Sequence, residues 1–145
     1  MALASVIIPQ AESIQQMTLV AAAAYTSSDA TNWWPCDFLS SEEITTVVTT
    51  CSGTLNVYLQ KLLPDNATAA DIGAFSQYTT AVFTTSGAKT LSFVNGGNSF
   101  VTETDAALTA GTVNTVHFGT YQRIKFVIAG TGATATFGVF GNFRS

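Results

Sequence analysis

The stretch "FVIAGTGATATF" carries the most suggestive chemical spacing in the chain, Gly130-x-Gly132-x-x-Ala135 directly behind an apolar run. In a dinucleotide site that spacing opens a helix whose N-terminus meets the pyrophosphate. Here the continuation, Thr134 to Phe143, alternates and is rich in β-branched and aromatic residues, so it predicts a strand, and Gly130 and Gly132 are expected to make a hairpin turn. His117 is the single histidine. It has no Cys or His cluster at zinc spacing and no G-x-S-x-G nucleophile motif to work with, so it is expected to be a satisfied strand histidine. Glu42 and Glu43 are sequence neighbours, and on a strand neighbours point to opposite faces, so they do not converge on one substrate. Glu103 and Asp105 share a face, with Asn98 and Ser99 near in sequence; a solvated loop is the expectation, a cation or sugar site the alternative. A glycosidase needs two carboxylates placed across a cleft, and nothing in the sequence supplies one. The chain is therefore expected not to be an enzyme, and to use no cofactor and no metal.

Two cysteines, Cys36 and Cys51, are too few for a disulfide framework and read as small buried hydrophobes. Asn66-Ala67-Thr68 is a formal glycosylation sequon that matters only in a secretory setting. The apolar run 17–24, "MTLVAAAA", resembles the middle of a signal peptide but has no basic residue ahead of it, the first being Lys61. The chain is accordingly read as made in the cytoplasm and not exported by that route.

The bulk composition narrows the classes further. Only 10% of the 145 residues are charged, against roughly 25% in an ordinary globular domain. Mean hydropathy is +0.32, so the polarity comes from Thr, Ser, Asn and Gln. Paired threonines such as Thr45-Thr46 and Thr84-Thr85 favour strands over helices. A surface so poor in charge suits burial against partners better than life as an isolated monomer. A net charge of −4 with five Lys and Arg argues against nucleic acid. No apolar run reaches the ~18 residues of a helical membrane span, so no membrane partner is expected.

Strand periodicity organises the rest. Residues 1–32 form an N-terminal arm, read as either a short amphipathic helix over 11–19 or an extended segment, docking on a neighbour or on its own body. Residues 33–145 form a β domain. Strands are predicted at 34–39, 44–51, 55–62, 72–78, 81–85, 89–94, 116–128 (bent at Gly119) and 133–143, separated by Gly, Pro, Asn and Ser turns. In "GTLNVYLQKLLPD" Leu55, Val57 and Leu59 share one face, with Asn56, Tyr58 and Gln60 opposite. Ile124, Phe126 and Ile128 alternate with Arg123 and Lys125, and Ala133, Ala135, Phe137 and Val139 share a face that leaves Phe140 on the other side. About eight two-faced strands predict an all-β, jelly-roll-like two-sheet sandwich.

The order of these segments resembles a group of small virion proteins of tailed bacteriophages. In that group L-x-V-Y-x-Q leads through a loop to D-I-x-x-F, followed later by an R-x-K-F/Y strand. The matching residues are Leu55, Val57, Tyr58, Gln60, Asp71, Ile72, Phe75, Arg123, Lys125 and Phe126, within about 44–144. The intervening loop reads "PDNATAAD" in place of the Gly-rich, Trp-containing turn usual there. The resemblance implies a jelly-roll head decoration, or cement, protein on the capsid exterior, assembled in the host cytoplasm. Its partners would be the major capsid protein and further copies of itself, a homotrimer ahead of a dimer. Tail, neck or fibre-associated proteins and a carbohydrate-binding sandwich are the alternatives. Candidate interface residues are Trp33 and Trp34 where arm meets body, Tyr58 and Gln60 on the outward face, and Phe140 as an apolar spot for a subunit contact. For the Trp33-Trp34 pair a core plug is an equal alternative.

Overall fold

The computed structural model describes residues 14–75, 83–96 and 113–145. Their fold is all-β and turns on two long strands that sequence periodicity splits into four. β1 is Ile14–Tyr25, β2 Asp29–Ala30, β3 Trp34–Pro35, β4 Ser41–Leu62, β5 Ala69–Phe75, β6 Gly87–Asn95, β7 Val113–Val116 and β8 Tyr121–Arg144. The segments expected as separate strands at 44–51 and 55–62 are one strand of 22 residues, β4. Likewise 121–128 and 133–143 belong to the 24-residue β8. These two run antiparallel from Ser41↔Arg144 to Lys61↔Gln122. The expected hairpin at Gly130-Thr131-Gly132 is corrected: the segment lies inside β8.

What replaces the hairpin is a crease. The β4–β8 register slips between Val48 and Thr50 and again between Ser52 and Thr54. Glu42, Ile44, Thr46 and Val48 are buried before the slip, and Leu55, Val57 and Leu59 after it. On β8, Gln122, Ile124 and Phe126 are buried on one side of the glycines, and Ala133, Ala135, Phe137 and Val139 on the other. Both strands thus change phase at the same place. Bulges of this kind bend a strand while keeping its apolar set on one face. The bend is large. Phe126 and Phe137 stand eleven positions apart, roughly 36 Å along a straight strand; yet their rings meet at 5.0 Å. Tyr25 touches both, at 5.2 and 5.0 Å. The two halves of the sheet therefore close on one core.

The remaining strands extend this frame. The path through the sheet is β1-β8-β4-β6-β7, with β2 and β3 also on β8 and β5 on β4. All pairings are antiparallel except β6 with β7. Of the two readings of the arm, the helical one is corrected over Ile14–Leu19, which is strand; residues 11–13 lie outside the described residues. β8 has one edge taken by β4, and β1 supplies hydrogen bonds to the other edge, from Ile14↔Arg144 to Tyr25↔Ala135. β2 in the arm and β3 just beyond it both pair with β8, so the arm joins the same sheet as the rest. The strand predicted at 34–39 shortens to Trp34–Pro35. Of 81–85, Phe83 forms an isolated bridge to Leu55, and residues 81 and 82 lie outside the described residues. Gly119, at φ 69, sits in the link between β7 and β8 rather than within a strand.

Gly53 is the tightest point of the crease. Its φ is +84, and a Cβ there would stand 2.4 Å from the Ala129 carbonyl oxygen and 2.7 Å from the Ala133 Cβ. Gly132 also has positive φ, +62, but nothing lies within 4 Å of its would-be Cβ. Gly53→Ala is expected to cost about 3 kcal/mol or more, from left-handed strain plus backbone overlap. Gly132→Ala is expected to cost about 1 kcal/mol, from strain alone. Urea midpoints of the two variants against the parent check the ranking, and equal losses would show that the crease does not depend on contact at Gly53.

Candidate functional site

The outward positions of the half-sheet formed by β5, the second half of β4 and the first half of β8 gather most of the polar members of the phage-like motif. Cross-strand register puts Gln60 between Asp71 on β5 and Arg123 on β8. One rung along, Tyr58 stands opposite Lys125. The Gln60 amide bridges its row: Nε2 donates to Asp71 Oδ1 at 2.5 Å, and Oε1 accepts from Arg123 Nε at 2.8 Å. Above the row the Arg123 guanidinium lies over the Trp33 ring, 4.5 Å from its centroid. Asn56 Nδ2 donates to the Tyr58 hydroxyl at 2.8 Å. The motif's apolar members Leu55, Val57, Ile72 and Phe126 lie in the core beneath; the Phe75 side chain lies outside the described residues. Alternation sorts the described members into these two sets.

Three of the five sequence-derived interface candidates meet here: Trp33, Tyr58 and Gln60. Trp33 and Tyr58 are half-buried. Gln60 is only 5% exposed, because Asp71 and Arg123 occupy its amide, so it braces its neighbours rather than offering itself to a partner. Trp34 is corrected. It is fully buried and packs edge-on against Phe143 with centroids 6.2 Å apart, as the core plug and not a surface anchor. Phe140 is 36% exposed and belongs to the other half-sheet, beside Thr18 and Thr45. Its ring covers Gly138, where a Cβ would come within 2.8 Å of it. A hollow of about 400 Å³ lies next to it, lined in part by Gln16, Glu43 and Asn142.

The other chemical candidates fall into structural places. His117 is in the β7–β8 link rather than a strand; its Nδ1 accepts the Gly119 N–H at 3.1 Å and its carbonyl accepts Lys61 Nζ at 3.2 Å. Cys36 and Cys51 are unpaired. Cys36 is buried, which pushes its thiol pKa up, and its Sγ lies 3.4 Å from the Phe118 carbonyl; Cys51 is partly buried. The sequon lies in the exposed β4–β5 turn, where the Asp65 carboxylate accepts from the Thr68 hydroxyl and from the Thr68 and Ala67 N–H groups, holding its pKa below the usual value. Glu103 and Asp105 lie outside the described residues. Among the described residues no three His, Cys, Asp or Glu side chains gather as metal ligands would.

No protein-family model, no curated protein and no solved structure matches the chain.

Sequence reasoning missed Glu42, although the signal was present: it keeps phase with Ile44 and Val48. Its side chain is 3% exposed, within a core that also buries Gln122 and Trp34. Burial raises its carboxyl to about 8, opposed by the neighbouring Gln122 amide, which closes no bond of full hydrogen-bond geometry. Glu42 is therefore neutral at pH 7. Below about pH 4.5 folded and unfolded chains both hold this proton, and its contribution is fully present. Between 4.5 and about 8 only the folded chain holds it, so stability falls as pH rises, by up to about 1.4 kcal/mol per unit. Glu42→Gln, a neutral isostere, is expected to gain on the parent steadily from pH 5 to pH 8. Urea unfolding of both proteins across that range checks it, and a constant difference would show Glu42 to be ionised in the fold.

Proposed function

We propose that the protein is a non-enzymatic structural component of a tailed-bacteriophage virion, a decoration protein that binds the outside of the head and stabilises contacts between capsid subunits. In this reading the half-sheets on either side of the crease act as the two layers of a jelly-roll-like sandwich. The observation that carries the reading is the sorting of the phage-like motif. Its polar members Tyr58, Gln60, Asp71, Arg123 and Lys125 lie on the outward rows of one half-sheet, with the Arg123 guanidinium over the Trp33 ring.

The energetics suit such a role. Interface cores are depleted in charge and enriched in aromatic residues and Arg. Outside this cluster the other half-sheet offers Thr18, Thr45, Thr90 and Phe140 in one row, uncharged across four strands. Phe140 is the natural contact for further copies of the chain, a trimer around a local three-fold axis being the favoured assembly. A protein that binds the assembled shell and not its separated subunits stabilises the shell by mass action, as RT ln(1 + [L]/Kd), and needs no chemistry.

Co-sedimentation of purified protein with phage heads lacking it tests the proposal, with the solution mass taken by light scattering. Saturable binding at high stoichiometry, with heads made more resistant to heat, is the expected result. Trp33→Ala and Tyr58→Ala are each expected to weaken binding about tenfold or more, as central aromatic anchors do. Absence of binding to heads would overturn the reading and move the protein to the tail or neck, or to glycan recognition.

A further inference from the structure

Arg123 is held more firmly than an ordinary surface arginine. Its Nε is committed to Gln60 Oε1 at 2.8 Å, and Gln60 is fixed in turn by Asp71. Its Cζ lies over the Trp33 ring, 4.5 Å from the centroid. These two contacts hold the guanidinium at its Nε edge and against the ring, leaving the terminal Nη groups with no hydrogen-bond or ion-pair partner among the described residues. Two parallel N–H donors at the end of a held guanidinium match a carboxylate in bidentate geometry. Because the side chain is already ordered, a ligand meeting it loses little further rotamer entropy.

A second cation stands beside it. Lys125 follows two residues later on the same face of β8, about 7 Å along the strand, and likewise meets no ion-pair partner among the described residues. The chain has five Lys and Arg in all. Lys61 and Lys89 are buried, 9% and 7% exposed, so Arg123 and Lys125 are two of the three that remain. The acidic groups nearby do not pair with these cations. Asp71 shares the row of Arg123, but its Oδ1 takes the Gln60 Nε2 hydrogen, and the Gln60 amide stands between it and the guanidinium. Asp29, whose strand pairs beside Lys125, accepts the Ala30 N–H at 2.8 Å. The result is a small cationic spot on a protein of net charge −4.

We infer that Arg123 and Lys125 form a preorganised carboxylate clamp, with Gln60 and Trp33 as positioning residues, and that it seats an Asp or Glu side chain of an acidic protein surface. This deepens the proposed function and rests on it for the partner's identity, a subunit of the shell. Nucleic acid is the poorer fit. Phosphate backbones reward rows of cations, whereas here two stand together on an otherwise acidic chain.

The test uses hexaglutamate as probe and follows the Trp33 indole N–H signal by NMR on the intact protein. A saturable shift is expected, abolished by about 0.5 M salt as screening shortens the Debye length. Binding should weaken about tenfold or more in Arg123→Gln and in Lys125→Gln. It should be unchanged in Arg144→Gln, which removes the same charge from the opposite half-sheet. Inorganic phosphate is titrated alongside and should bind at least tenfold more weakly. No response to hexaglutamate, equal binding by Arg123→Gln, or phosphate binding as tightly as the peptide would each overturn the clamp. The probe needs no capsid, so the two ideas fail separately. A clamp that binds hexaglutamate in a protein that ignores heads leaves the clamp standing without the shell. Heads bound equally well by the parent and by Arg123→Gln leave the shell reading without the clamp.

Discussion

The approach of Gly53 to the Ala129 carbonyl and the Ala133 side chain decides the shape of everything else. At that point two strands of 22 and 24 residues bend together, and no side chain larger than hydrogen fits between them. Bending converts one long two-stranded ribbon into two facing half-sheets. Phe126 and Phe137, on the same strand, become core partners at 5.0 Å, with Tyr25 from β1 closing the cluster. A straight ribbon would expose these rings to water, at about 1.5–3 kcal/mol for each large apolar side chain. The crease is thus where local backbone freedom is exchanged for core burial.

Charge economy follows from the same arrangement. Among the described residues, the sheet interior takes some of the few charged side chains there are. Lys61 lies buried, its stem against Gly119 and its ammonium on the His117 carbonyl. Glu42 is buried and neutral. The outward faces are then dominated by hydroxyls and amides, with Phe140 standing out on one half-sheet and the Trp33–Arg123 stack on the other. A partner would meet two chemically different faces, one with Phe140 in a row of threonines flanked by Glu43 and Arg144, and one with a held guanidinium.

Much of this was legible in alternation alone. Leu55, Val57 and Leu59 point inward as their spacing requires, Ala133 to Val139 share the buried face, and Phe140 emerges opposite them. The continuity of the long strands was not legible. Gly-Thr-Gly reads as a turn, and whether it reverses the chain or creases it depends on Gly53, some 77 positions away in sequence. The arm misled for a similar reason: an Ala-rich segment by itself favours helix, and pairing to the open edge of β8 made it a strand. Trp33 and Trp34 illustrate the limit at single-residue scale. Alternation sends one outward and one inward without saying which, and the β3 pairing with Gln122 and Tyr121 decides it. Gln60 was correctly placed on the outward row, yet its burial comes from side chains on two other strands that its own segment does not reveal.

The central claim is that one half-sheet meets a shell while the other meets further copies of the chain. Hydroxyl-radical footprinting of the protein, free and on heads, tests it most directly because it reads individual side chains. The account predicts that oxidation of Trp33 and Tyr58 falls sharply on binding to heads, while Phe140 is already protected in the free assembly and does not change. Protection appearing at Phe140 on binding, with Trp33 and Tyr58 as reactive as before, would contradict it and reverse the assignment of the two faces.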